Sequence, residues 1–269
     1  MSATRPHTLL DCIVTGSGPP VVLIHGTGAD AESNWGPLIE SLHDRYTVVA
    51  PNLPGAGKTP PPTDRLELDQ LADDVIATVQ DALDTDQGWH VVGHSLGAVV
   101  AAAVAAEQPE QVRSLLLHAG WITTGPREAL MFDLWSRLLS IDSDLLARHL
   151  VLEAMSPALL QTASTDQLDE MVAGFTSMLD DRITAQIEFD GRIDLASVVS
   201  GIQAATLVLA SADDRIIPPL HQQALSRKIP NARYRELAGG HGLPFEDPAR
   251  FFLAITECLD EQQAQRDAA

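Results

Sequence analysis

The chain has 269 residues, 45% of them hydrophobic and 20% charged, which is enough to bury the core of one large domain and too apolar for a disordered tail. Seventeen basic residues stand against 37 acidic ones, and the resulting charge of -20 repels phosphate backbones and anionic lipid headgroups. Nucleic acid and membrane surfaces are therefore not expected as partners; a small molecule is.

Taken in chain order, short apolar runs rich in β-branched residues predict strands at 8–14, 21–25, 46–50, 90–93, 114–118, 206–210 and 232–237. Between them, segments of helical period predict helices at 34–42, 65–83, 96–107, 220–228 and 248–259. The clearest is 65–83, with Leu68, Leu71, Val75, Val79 and Leu83 on one face and Asp64 placed to cap its start. This alternation predicts an α/β fold with a mostly parallel central sheet flanked by helices. It stops after His118 and resumes only near Ala205. The predicted organisation is a core of residues 1–121 and 203–269 carrying an inserted helical cap at 122–202. The region holds more large apolar groups than a small excursion needs. Trp121, Phe132 and Trp135, together with His94, are predicted to wall a substrate pocket beneath the cap. Trp35 is predicted to pack its own helix, and residues 262–269 to fray.

Cys12 and Cys258 lie far apart in sequence with no CxxC spacing, which predicts free thiols in a reducing compartment. Residues 1–10 contain one Arg and no apolar run of signal-peptide length, and no stretch approaches the roughly 18 apolar residues of a membrane span. A cytoplasmic location is the expectation.

The residues that carry chemistry begin with Gly93-His94-Ser95-Leu96-Gly97, a G-x-S-x-G run that follows an apolar strand and opens an Ala-rich helix. A serine on so tight a turn needs strained backbone angles, and glycines on either side remove the clashing side chains. The start of the following helix adds partial positive charge that favours an oxyanion. A serine hydroxyl is a weak nucleophile until a base takes its proton. Ala238-Gly239-Gly240-His241-Gly242 supplies a histidine in a loop directly after the last predicted strand. Asp213 and Asp214 supply acids just beyond the C-terminal end of the strand at 206–210, the edge where α/β sheets place active groups.

Serine, acid and histidine in this chain order resemble the α/β-hydrolase superfamily, and the likeness runs from the first strand to the last helix, weakest in the cap. The resemblance implies Asp214, four residues before Pro218, as the acid in preference to Asp213. It implies an oxyanion hole from the backbone N–H groups of Leu96 and, in the turn His25-Gly26-Thr27-Gly28, of Thr27. Ser211 stands where many relatives have glycine. His118 and Trp121 follow their strand without the alternative acid some relatives use there.

Two phosphate-loop lookalikes fail. Gly26 to Ala31 fits a relaxed dinucleotide fingerprint, but no acid ends the next strand. Gly55-Ala56-Gly57-Lys58-Thr59 is followed by prolines at 60, 61 and 62, which forbid the required helix. No HxxH or HExxH spacing is present, so neither cofactor nor metal is expected. The expected activity is a serine hydrolase cleaving a small to medium, mostly apolar carboxylic ester through an acyl-serine intermediate. Lactone, thioester and C–C bond hydrolysis, a lyase or cyclase, and a ligand-binding receptor on the same fold are the alternatives.

Overall fold

The computed structural model describes residues 7–83 and 87–267. In chain order they form β1 (Cys12–Gly16), β2 (Pro20–Ile24), α1 (Ala31–Leu42), β3 (Thr47–Pro51), α2 (Leu68–Ala82), β4 (Trp89–His94), α3 (Leu96–Glu107) and β5 (Val112–His118). A helical stretch follows: α4 (Pro126–Ile141), α5 (Ser143–Ala154), α6 (Pro157–Thr162), α7 (Thr165–Met178) and α8 (Thr184–Asp190). The chain closes with β6 (Ala205–Ser211), α9 (Pro219–Lys228), β7 (Arg233–Leu237), α10 (Leu243–Glu246) and α11 (Pro248–Asp267).

The strands form one sheet in the order β1-β3-β2-β4-β5-β6-β7, antiparallel only where β1 meets β3. Alternating side chains serve its two faces, as the period of a strand requires. Val22, Ile24, Val91, Leu115, Leu117 and Val208 point to the core shared with α2, α3 and α9. Val21, Leu23, Val92, Leu116, Leu207 and Leu209 point to the core shared with α1 and α11, where Trp35 stacks on Phe251. Helix α3 is apolar all round because it is buried all round, between the sheet and α2.

Three local predictions need correction. The first strand was expected at 8–14 but lies at 12–16, because Thr8 and Leu10 turn aside to donate their N–H groups to Asp74 and Thr78 of α2. Helix α2 begins at Leu68, with Glu67 at its N-cap and no side-chain cap bond, so Asp64 does not cap it. Helix α11 does not end at 259 but runs to Asp267, held down by the ion pairs Arg235–Glu257, Arg45–Asp260 and Arg233–Glu261. Residues 268 and 269, also expected to fray, lie outside the described residues.

The excursion between β5 and β6 leaves and returns at one point. Thr123 bridges Asp194, Leu195 N–H donates to Ile122 O at 2.7 Å, and Thr124 N–H donates to Ile193 O at 2.9 Å. Its helices are tied to the sheet domain largely through main-chain carbonyls: Arg127 to Arg215 and Ile216, Arg182 to Gly57, Arg192 to Leu66. Among the described residues no helix is long and apolar enough to cross a membrane.

Candidate active site

Parallel strands bring their C-terminal ends to one edge, and the chemistry-bearing residues gather there. Ser95 sits between β4 and α3 with φ 55° and ψ -119°, a left-handed conformation that costs about 1–3 kcal/mol for a non-glycine residue. The flanking glycines allow it. A Cβ on Gly93 would lie 2.3 Å from Gly97 O, and one on Gly97 would lie 2.1 Å from Ile24 O. The Ser95 N–H donates to His118 O at 2.9 Å, locking the turn to β5.

His241, in the loop after β7, places Nε2 3.0 Å from Ser95 Oγ, and its Nδ1 lies 2.9 Å from Asp214 Oδ2. The carboxylate is buried and further held by the Ile217 N–H at 2.8 Å and by Gln222 Nε2 at 3.3 Å. Serine, imidazole and carboxylate thus lie in one hydrogen-bonded line, the geometry that lets an imidazole accept a serine proton while the acid fixes its tautomer. Asp213 makes no such contact; its N–H donates to Gly239 O, tying the acid loop to the histidine loop.

Leu96 is the first residue of α3, so its N–H belongs to the unpaired helix start. Thr27 stands across the cleft in the β2–α1 turn. The amides beside it are engaged, Gly26 N–H with Asn34 Oδ1 at 2.9 Å and Gly28 N–H with Gln186 Oε1 at 3.1 Å, which leaves the Thr27 N–H without a partner among the described residues. His25 shapes this turn. Its Nδ1 donates to Gly26 O and its Nε2 accepts from Leu53 N–H, and burial pushes it down to about 4, so it stays neutral.

A cleft opens over Ser95 between the sheet edge and the helical stretch. Its far wall is Trp135 of α4, Leu146, Leu150 and Ala154 of α5, and Phe175 and Met178 of α7. Among the described residues, no Asp, Glu, Lys or Arg lines it. Of the four residues expected in the wall, Trp135 and His94 line it and two do not. Trp121 is fully buried, donating Nε1–H to Thr124 Oγ1 at 3.0 Å, and Phe132 is sandwiched between Trp121 and Trp135, so both form the base behind the wall.

His94 stacks on His118 with their Nδ1 atoms 2.8 Å apart, and His118 Nε2 reaches Ser211 Oγ at 2.9 Å. Burial, reinforced by the neighbouring histidines, holds both well below the usual histidine range. Ser211 is thus part of a buried polar chain. Four contributors escaped the sequence reading: Gln222, Glu246, Gln186 and Asp190. Gln222 joins Asp214 to Ile217 O and the Ala119 N–H. Glu246 holds the Gly240 N–H beside His241 and also Ser156 at the start of α6. Each acts across a long sequence separation, and no local pattern marks them. Among the described residues no three His, Cys, Asp or Glu side chains converge as a metal-binding group.

A family model for the alpha/beta hydrolase fold matches residues 19–248. The chain belongs to the α/β-hydrolase family. This α/β-hydrolase is 33% identical over 248 residues to the pyrrolizixenacetamide deacetylase of Xenorhabdus hominickii, covering 91% of this chain and 92% of the relative. Among solved structures it resembles a thermophilic esterase from Thermogutta terrifontis (TM-score 0.80, 24% identity, 94% of this chain and 93% of that one). It also resembles the enol-lactonase from Burkholderia xenovorans LB400 (TM-score 0.79, 19% identity, 93% and 96%). The two structures speak for the fold alone.

Proposed function

We propose that this α/β-hydrolase is a serine hydrolase that cleaves a small to medium, uncharged and mostly apolar acyl ester through an acyl-serine intermediate. The observation that carries the reading is the Ser95–His241–Asp214 line, at 3.0 and 2.9 Å, opening into a cleft that no Asp, Glu, Lys or Arg among the described residues lines. In this reading His241 Nε2 takes the proton as Ser95 Oγ attacks the carbonyl carbon, and Asp214 stabilises the imidazolium that results. The Leu96 and Thr27 N–H groups receive the oxyanion. His241 then protonates the leaving group, whose bond to carbon breaks, and finally draws a proton from the water that releases the acid and restores Ser95. Residues 122–202 act as the cap that walls the substrate, over a core of 1–121 and 203–269. The free Cys12 and Cys258 suit a reducing compartment such as the cytoplasm.

A second reading, hydrolysis of an acetamide, is favoured by the deacetylase name of the 33% identical relative. The same groups serve it, with His241 protonating an amine instead of an alcohol. The test is intact mass after incubation with a small fluorophosphonate, followed by a panel of neutral esters, neutral acetamides and carboxylate-bearing esters. A single adduct absent from Ser95→Ala, with neutral substrates turned over, is expected. No adduct and no turnover would leave a ligand-binding role; preference for carboxylate-bearing substrates would overturn the uncharged-substrate reading.

A further inference from the structure

Helix α8 presents two buried side chains, one turn apart, to the turn that carries Thr27. Gln186 accepts the Gly28 N–H and donates to Pro54 O at 2.8 Å, so it spans the two loops that meet beneath α8. Asp190 lies one helical turn on, with Oδ2 2.5 Å from Thr27 Oγ1. It is 1% exposed, and its other oxygen, Oδ1, has no hydrogen-bond partner.

A carboxylate in that position would carry its charge with one neutral partner and one bare oxygen, at a cost of several kcal/mol. Among the described residues, the hydrogen bonds from neighbouring elements to Asp190 come from the Thr27 hydroxyl to its carboxyl and from the Thr124 hydroxyl to its main-chain carbonyl. The nearby cation, Arg192, is committed elsewhere, over the Phe189 ring, to Leu66 O and to Glu67. Asp190 is therefore an uncharged acid at neutral pH; burial raises it to about 8 against the smaller opposing effect of Thr27. An uncharged acid donates. With the proton on Oδ2, Thr27 Oγ becomes the acceptor, and the hydroxyl's own proton is released from that bond. Thr27 is half-buried and lines the cleft.

We propose that Asp190 is a positioning residue that turns the Thr27 hydroxyl into a further donor to the oxyanion, beside the backbone N–H groups of Thr27 and Leu96. The proposal rests on the serine-hydrolase reading above. It makes the helical segment part of the reacting centre, because the residue that orients Thr27 comes from α8.

The experiment measures kcat and KM with 4-nitrophenyl acetate for the parent, Thr27→Val, Asp190→Ala, Asp190→Asn and the Thr27→Val/Asp190→Ala double variant, with fluorophosphonate labelling of each. Thr27→Val keeps the side-chain shape and should lower kcat roughly tenfold to hundredfold with KM within about twofold. Asp190→Ala should match it, and the double variant should lose no more than either alone. Asp190→Asn should recover most of the loss, since its amide N–H can donate to Thr27 Oγ as the acid does. The parent should lose kcat above about pH 8, where the ionised acid reclaims the hydroxyl proton, while Asp190→Asn holds its rate there. A Thr27→Val kcat within twofold of the parent, or Asp190→Asn as impaired as Asp190→Ala, overturns the proposal while labelling at Ser95 persists. A parent that neither labels nor turns over overturns the serine-hydrolase reading itself, and this proposal with it.

Discussion

Helix α3 buries ten of its twelve residues and helix α7 buries one of its fourteen, yet both contribute to the same cleft, α3 through Ser95 at its start and α7 through Phe175 and Met178. The difference separates two jobs. Reacting groups need positions fixed to a few tenths of an ångström, and they sit where close packing and glycine contacts leave the backbone no play. A substrate wall needs only shape and apolarity. In the proposed reading it is supplied by helices that rest on one another, α7 chiefly on α5.

The largest break in that contrast is expected on the sheet side. Ser95→Ala and His241→Ala should each lower kcat roughly 10⁴-fold or more, and Asp214→Asn about 10⁴-fold, with KM little changed. Ester hydrolysis assays check this, and a fully active Asp214→Asn would remove the acid from its assigned role. Next comes a single substitution made on both sides. Gly97→Ala, forced against Ile24 O, should cost about 3 kcal/mol, whereas Gly174→Ala in α7, with nothing within 4 Å, should add roughly 0.5–1 kcal/mol. Urea denaturation of the two variants measures the difference.

Acidity should also act unevenly. His25, held down to about 4, and His94 and His118, well below the usual range, are buried neutral beside the serine turn. A lowered histidine withholds a proton that the unfolded chain would bind. Stability is thus intact above pH 6.5 and lost as pH falls toward 4. Asp190 on the helical side runs the opposite way. Its raised value means the folded state keeps a proton the unfolded chain gives up, so stability is full below pH 3.8 and declines as pH rises to about 8. Thermal melts of the parent and Asp190→Asn from pH 4 to 8 should diverge, the variant gaining on the parent as pH rises. The smallest effect is expected in the wall. Phe175→Ala, which removes half of the Phe175–Phe245 pair at the cleft, should shift KM a few-fold toward bulkier acyl groups and leave kcat within about twofold.

What could be read from sequence divides along similar lines. Apolar runs announced the five inner strands because a sheet buried on both faces needs them, and the serine turn announced itself because its strain demands glycine at fixed offsets; the half-exposed edge strands β1 and β7 gave a weaker signal. Trp121 and Phe132 misled because a large aromatic group looks the same in sequence whether it fronts a cleft or backs one. Asp190 and Thr27 are separated by 163 positions, and nothing in either neighbourhood points to the other. Asp64 misled for a local reason: α2 starts at Leu68, too far along for that side chain to cap it.

The clasp at Ile122 to Thr124 and Ile193 to Leu195 has a consequence for ancestry and engineering. A segment whose two feet are stitched together can change length at a small loop-closure cost, about 0.6 kcal/mol per doubling, so a different helical segment can stand on the same feet without disturbing the scaffold beneath. On the proposed reading of residues 122–202 as a cap, grafting a relative's segment between these stitches should change the substrate range, provided the transplant brings its own partner for the turn at Thr27.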